Sequence, residues 1–248
     1  MEPIGRREWL AQTVQGAAVV AGVPGVAAAA AQAAGGAGTG GVAGVARAAA
    51  WAGKHAPKPL PFDAAKLAGL SEKLLLSHHG NNYSGAVKRL NAIEAELAAL
   101  PAEAAPFRVG SLKREELIAR NSMVLHEAYF GNLGGEGLGS GRLAELIARS
   151  YGTVAAWAHE FRQTAKALGG GSGWVILGWD AHRGGAHTYW LFDHTHSPAG
   201  VMPLLVMDMF EHAYAMDFGA NAAGYIDAFF RNLAGAELDR RAATCGAQ

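Results

Sequence analysis

The chain has 248 residues, 50% hydrophobic and 17% charged, which is too apolar for a disordered protein and enough for one large or two small folded domains. Basic and acidic residues both number 21, and no local Lys/Arg cluster offers a footprint for nucleic acid. Cys245 is the single cysteine, which argues against a disulfide framework, thiol redox chemistry and cysteine-ligated zinc, so the 10 histidines are the feature to explain.

The chain opens with Arg6-Arg7, then the bulky pair Trp9-Leu10, then an uncharged Ala/Gly/Val run from Ala17 to Ala34. This order reads as a twin-arginine export signal over residues 1–33, with Ala31-Gln32-Ala33 as a small-residue cleavage site. Pro24 and Gly25 interrupt the run and Leu, Ile and Phe are scarce, so no stable membrane span is expected once it is cleaved. Residues 34–56 are Gly/Ala-rich without a periodic face and read as a tether.

Folded structure is expected from residue 57, as a helical-hairpin domain over 57–137 and an α+β domain over 138–242. Apolar residues from Leu67 to Leu100 recur at helical spacing, with Ser71 as a cap for an internal start and Pro101 as the stop. Ser111 is placed to cap a second helix reaching about Asn132, and the pair should pack antiparallel. Beyond the glycines of 131–141, helices are expected over Leu143–Ser150 and Thr153–Leu168, the latter capped by Thr153. Strand-like runs follow at Trp174–Leu177, His187–Phe192 and Pro203–Met207, then a last helix over Gly224–Leu233. The fold class is α+β: an N-terminal antiparallel helical hairpin plus a C-terminal domain with a three-stranded antiparallel sheet.

Helical spacing aims His78 inward behind Leu74 and puts His126 on the face of Ile118, Ser122 and Phe130. His212 follows Asp208 by four residues. Singly, each is most simply a hydrogen-bonded core or local group. Together, three imidazoles and a carboxylate on apolar faces are costly to bury unless a metal ion pairs them. Without thiolate, this donor set suits iron or manganese, and zinc remains compatible on ligand type. Two other signals are set aside. His194-Thr195-His196 reads as a solvated turn, and the glycines of 169–171 lack the Lys and helix of a phosphate cradle.

The segments Ser77-His78-His79-Gly80, Val124-Leu125-His126-Glu127-Ala128-Tyr129-Phe130, Gly171-Ser172-Gly173-Trp174 and Asp208-Met209-Phe210-Glu211-His212-Ala213-Tyr214 resemble the iron/manganese superoxide dismutases. The resemblance runs from about Leu60 to Leu233. It implies that His78, His126, Asp208 and His212 hold one Fe or Mn ion per chain, with solvent in the fifth position. Superoxide is then the substrate, dioxygen and hydrogen peroxide the products, and metal-bound solvent the catalytic group, with no protein acid or base assigned. It also implies a homodimer, in which Glu211 reaches the partner's metal-binding histidine. Around the ligands the resemblance places Asn82, Ser122, Phe130, Trp174, Glu211 and Tyr214.

Several of these positions depart from the family's pattern. Asn82 and Ala86 stand where a gateway histidine and tyrosine are usual, and Ala215 where another tyrosine follows. Ser122 and Gly170 occupy the two alternative positions of a solvent-anchoring glutamine, and Phe130 replaces a tryptophan. Outer hydrogen bonds tune both potential and bound-solvent pKa, so altered activity is expected. The alternative reading is a non-catalytic metal-binding protein on the same fold. Export through the twin-arginine machinery predicts a periplasmic or extracellular location.

Overall fold

A computed structural model describes residues 49–245; the expected signal peptide and the tether up to residue 48 lie outside the described residues. The tether's expected last residues are bonded to the fold. Gly53 N–H donates to the buried Glu94 carboxylate at 2.6 Å, His55 N–H donates to Asn91 at 3.0 Å, and the His55 ring stands 2.8 Å from Glu94.

The expected first helix begins later and carries an irregularity. Leu67 and Leu70 precede it, around a 3-10 turn (Ala64–Lys66) capped by Asp63. Ser71 is the N-cap, its hydroxyl accepting from Leu74 N–H at 3.1 Å. From there α1 (Glu72–Ser77), a π-helical turn (His78–Tyr83) and α2 (Ser84–Ala98) follow one another, with right-handed helical backbone at Ser77 and Tyr83. Such a widened turn adds a residue to the helix, and these turns concentrate at functional sites.

The second hairpin helix, α3 (Pro106–Gly131), starts before the expected Ser111. Pro106 is the first helical residue, where its missing N–H costs nothing and its fixed φ is already helical. Across the hairpin, Arg89 on α2 pairs with Glu115 on α3. The glycine-rich segment does more than end this helix. Gly134 N–H donates to Asn232 O at 3.0 Å, and the buried Asn132 amide donates to Val206 O while accepting from Arg241 at 2.8 Å.

Helix α4 (Arg142–Tyr151) ends at Gly152, and Thr153 caps α5 (Val154–Ala167) as expected, accepting from Ala156 N–H at 3.0 Å. Strands β1 (Trp174–Asp180), β2 (Gly185–Leu191) and β3 (Val201–Asp208) form an antiparallel sheet in the order β2-β1-β3. β1 outlasts its expected end because Gly178 lets it continue through a register shift; a Cβ there would collide with Val201. The pairing sets Trp174 opposite both Leu191 and Asp208. A 3-10 turn (Glu211–Ala213) and short α6 (Ala215–Phe218) lead to α7 (Ala222–Arg231) and α8 (Gly235–Ala242). The last helix was not expected, because it buries only Leu238 and Ala242 and shows little apolar periodicity.

The architecture is therefore α+β, a helical hairpin plus a three-stranded antiparallel sheet. The core beneath the sheet is aromatic, with Trp157, Phe161, Tyr225 and Phe229 at 0% exposure. Among the described residues no helix is long and apolar enough to cross a membrane.

Candidate metal centre

Each predicted ligand comes from a different kind of backbone. His78 opens the π-helical turn, His126 lies in the last third of α3, Asp208 ends β3 and His212 sits in the 3-10 turn after it. The widened turn presents His78 to the sheet, and the pairing of β3 with β1 fixes Asp208. The 3-10 turn brings His212 back over that carboxylate.

The four side chains converge. One ligand atom from each lies within 4.8 Å of all the others. The Asp208 Oδ2 atom stands 3.2 Å from His78 Nε2, 3.5 Å from His126 Nε2 and 3.2 Å from His212 Nε2. His78, His126 and Asp208 are almost completely buried, and His212 is partly open.

Second contacts hold these groups in register. His126 Nδ1 donates to the Ser122 main-chain oxygen at 2.7 Å, which leaves the Nε2 lone pair facing the carboxylate. Asp208 Oδ1 accepts from Phe210 N–H at 2.8 Å, and Tyr225 O–H donates to the Asp208 carbonyl at 2.7 Å.

Burial holds His78 below its ordinary pKa and, with His78 as a charged neighbour, carries His126 down to about 3. Burial alone would push Asp208 up, but His212 and then His78 outweigh it and hold the carboxyl well below the usual carboxylate range. At neutral pH His78 and His126 are thus neutral beside an ionised Asp208, the protonation state in which these three can ligate. Among the described residues, His126 Nε2 and His78 Nδ1 have no hydrogen-bond partner, although both are buried. A cation at the shared focus satisfies the orphaned His126 nitrogen and repays the burial of the carboxylate. The N₃O donors fit iron or manganese.

The surrounding residues divide. Phe130 packs its ring 5.0 Å from that of His78 and stacks on His126 at 6.3 Å. Trp174 meets His126 edge-on at 5.1 Å. Ser122 acts mainly through its main-chain carbonyl. Asn82 is half-buried, Glu211 is exposed, and Tyr214 stands behind the site, stacked on Tyr225 at 5.2 Å.

A cavity of about 340 Å³ opens in front of His126 and His212, walled by Asn82, Ala86, Ser122 and His194 among others. His194 is the residue the sequence reading misassigned. Its ring accepts from Trp174 Nε1–H at 2.9 Å, stacks on Phe210 at 4.7 Å and lies 6.5 Å from His126. Burial holds its pKa below the ordinary value. His196 does behave as a turn residue, exposed and bonded to Asp193 at 2.9 Å. The H-x-H pair therefore splits, one ring into the site and one toward solvent. Also unforeseen were Tyr225 and Tyr129, whose hydroxyls lie 3.3 Å apart beneath Asp208, while Tyr83 links Lys58 to Glu127.

Comparison with known proteins agrees with this geometry. Residues 139–241 match the family described as iron/manganese superoxide dismutases, C-terminal domain. The chain is 55% identical over 177 residues to a superoxide dismutase [Fe] of Cupriavidus metallidurans, covering 71% of this chain and 90% of that protein. A superoxide dismutase [Fe] of Aquifex pyrophilus is 35% identical, over 67% of this chain and 81% of its own. A superoxide dismutase [Mn] of Haloferax volcanii is 32% identical, over 70% and 87%. With that identity sustained across nine-tenths of a relative, and the expected donor set gathered around one point, the chain belongs to the iron/manganese superoxide dismutase family.

Proposed function

We propose that the protein is a superoxide dismutase whose resident ion is iron, held by His78, His126, Asp208 and His212. The observation that carries this reading is the convergence of four donor atoms, three of them in buried side chains, within 4.8 Å. Iron rather than manganese is favoured by the name of the relative that is 55% identical. When bound, the ion supplies one-electron chemistry, taking one superoxide to dioxygen and a second, with two protons, to hydrogen peroxide.

The chain's own residues do the rest. Asp208 brings one negative charge to a focus otherwise lined by imidazole rings, which favours the more highly charged oxidation state. Ser122 fixes the His126 tautomer through its carbonyl. Phe130 and Trp174 keep water from two sides of the ligands, leaving the cavity beside His212 as the approach. Because Trp174 occupies His194 Nδ1, the neutral His194 ring carries its proton on Nε2, the donor it can offer within that cavity.

Homodimer formation through the exposed Glu211 belongs to the same reading, as does export. Arg6-Arg7 and the uncharged run behind them support a twin-arginine route to the periplasm or beyond. Replacing both arginines with lysine should keep the protein in the cytoplasm, and unchanged secretion would count against the route.

Elemental analysis of protein from its own host, with superoxide consumption measured on the same sample, tests the central reading. One iron per chain with turnover far above free metal is expected. Metal at that stoichiometry without turnover would instead support the non-catalytic reading, which draws on Asn82, Ala86 and Ala215 at the gateway positions. Asn82→His with Ala86→Tyr and Ala215→Tyr should raise the turnover of a detuned enzyme and leave a purely binding protein inactive.

A further inference from the structure

We propose that Arg89 captures small anions at the mouth of the cavity in front of His212, with the Asn82 amide as the next donor inward. The inference rests on the dismutase reading for the identity of the principal anion, superoxide, and concerns how this chain admits it.

Several observations on α2 and its surroundings carry it. Asn82, Ala86 and Arg89 recur at helical spacing along the wall of one cavity, the same cavity that His126, His194 and His212 line. Arg89 is the one residue with a permanent charge on that wall among the described residues, and the charge is positive. Its side chain is 57% exposed, which puts it at the rim, whereas Asn82 is half-buried and Ala86 is 8% exposed. Alanine at position 86 leaves open the space between amide and guanidinium. The volume of about 340 Å³ is roughly ten times a water's share of the liquid, far more than a diatomic anion occupies.

The guanidinium is held but not used up. Arg89 bonds Glu115 through one terminal nitrogen, and a guanidinium carries five N–H groups. The Glu115 carboxylate positions the fork at the mouth and partly neutralises its field, so an entering anion competes with Glu115 for it. A cation at the rim and an amide within form a graded path for a monovalent anion. The same path admits larger oxyanions of bicarbonate size.

The test uses the metal-loaded full chain and two readouts. In stopped-flow superoxide decay at low salt, Arg89→Gln should lower kcat/KM roughly tenfold and flatten its dependence on ionic strength. Arg89→Lys should recover most of the rate, since it keeps the charge, and Arg89→Glu should reverse the sign of the salt dependence. Glu115→Gln should raise the rate, and Lys88→Gln, an exposed neighbour off the cavity wall, should follow the parent. Independently, labelling of Arg89 by phenylglyoxal, read by peptide mass, should be slowed by sodium bicarbonate in the parent protein. Arg89→Gln with the parent's rate and salt slope, or labelling indifferent to bicarbonate, would overturn the proposal. A parent with no turnover above free metal would instead remove the dismutase reading, and the labelling result would still decide whether Arg89 binds anions.

Discussion

Asp208 depends on a pair of buried hydroxyls, and removing them one at a time should give non-additive losses. Tyr225 O–H donates to the Asp208 carbonyl at 2.7 Å, and Tyr129 O–H lies 3.3 Å from that hydroxyl; both tyrosines are at 0% exposure. Tyr225→Phe takes the donor from the carbonyl and, among the described residues, the hydroxyl partner from Tyr129, and each buried group so orphaned costs about 1 kcal/mol or more, about 2 kcal/mol together. Tyr129→Phe leaves the Tyr225–Asp208 bond intact and should cost about 1 kcal/mol. In the double variant Tyr129 no longer presents an orphaned hydroxyl. With both hydroxyls gone only the carbonyl is orphaned, so the cost should be about 1 kcal/mol, not the roughly 3 kcal/mol that independent sites would give. Urea unfolding of the metal-free protein at one fixed concentration measures this, a loss of 2 kcal/mol moving the midpoint by about 1 M. The pH sign follows from the same burial, which raises both phenols above their ordinary value. Stability should be full below pH 10 and fall as pH rises past it, where only the unfolded chain ionises, and less steeply in the double variant. Strict additivity, or a Tyr225→Phe protein within 0.5 kcal/mol of the parent by this hydrogen-bond scale, would refute the reasoning.

Three further outcomes are expected. Asp208→Asn removes the only carboxylate among the four donors and should weaken iron binding by more than roughly 100-fold, as read by competition with a chelator. In the metal-free protein His78 and His126 are buried with lowered pKa values, so stability should be full above about pH 6.5 and decline as pH falls below it; bound iron should preserve that slope to lower pH, because a ligating imidazole stays unprotonated. Tyr189, which donates to Asp180 at 2.6 Å, is pushed up to about 12, first by burial and then by that carboxylate. Spectrophotometric titration at 295 nm should therefore lose one late-ionising phenol in Tyr189→Phe.

The metal ligands were legible because their chemistry and their spacing agree. An imidazole on an apolar helical face is conspicuous, and the Asp208–His212 block is compact enough to read directly. Spacing nevertheless misdescribed the geometry. Asp208 ends the third strand as expected, but the four-residue spacing suggested one helical turn and His212 sits instead in a 3-10 turn. The widened turn at His78 left no mark in the sequence, because its residues remain in right-handed helical backbone and only the hydrogen-bond register changes. Helix α3 began early for a related reason. Residues 106–110 read as a loop ahead of Ser111, but a proline that would break a helix from within is compatible with its first position.

His194 and Tyr225 escaped detection for a deeper reason than weak local signal. Nothing within ten residues of either says that it meets the site. His194 arrives because β2 pairs with β1, setting Leu191 opposite Trp174, and the loop beyond Leu191 folds back until its ring reaches the Trp174 indole. Tyr225 arrives because α7 packs beneath the end of β3. Both contacts are products of sheet register and helix packing, which bring together positions 20 and 17 residues apart in sequence. Periodicity can aim a side chain at the core but cannot say what waits for it there. The departures at Asn82 and Ala86 carry the converse lesson. They were visible as missing gateway residues, yet only the cavity they leave, with Arg89 at its rim and His194 on its wall, turns that absence into a definite property. That property is a wide, cation-fronted approach with a neutral imidazole inside it, and its salt response distinguishes it from a site that is merely damaged.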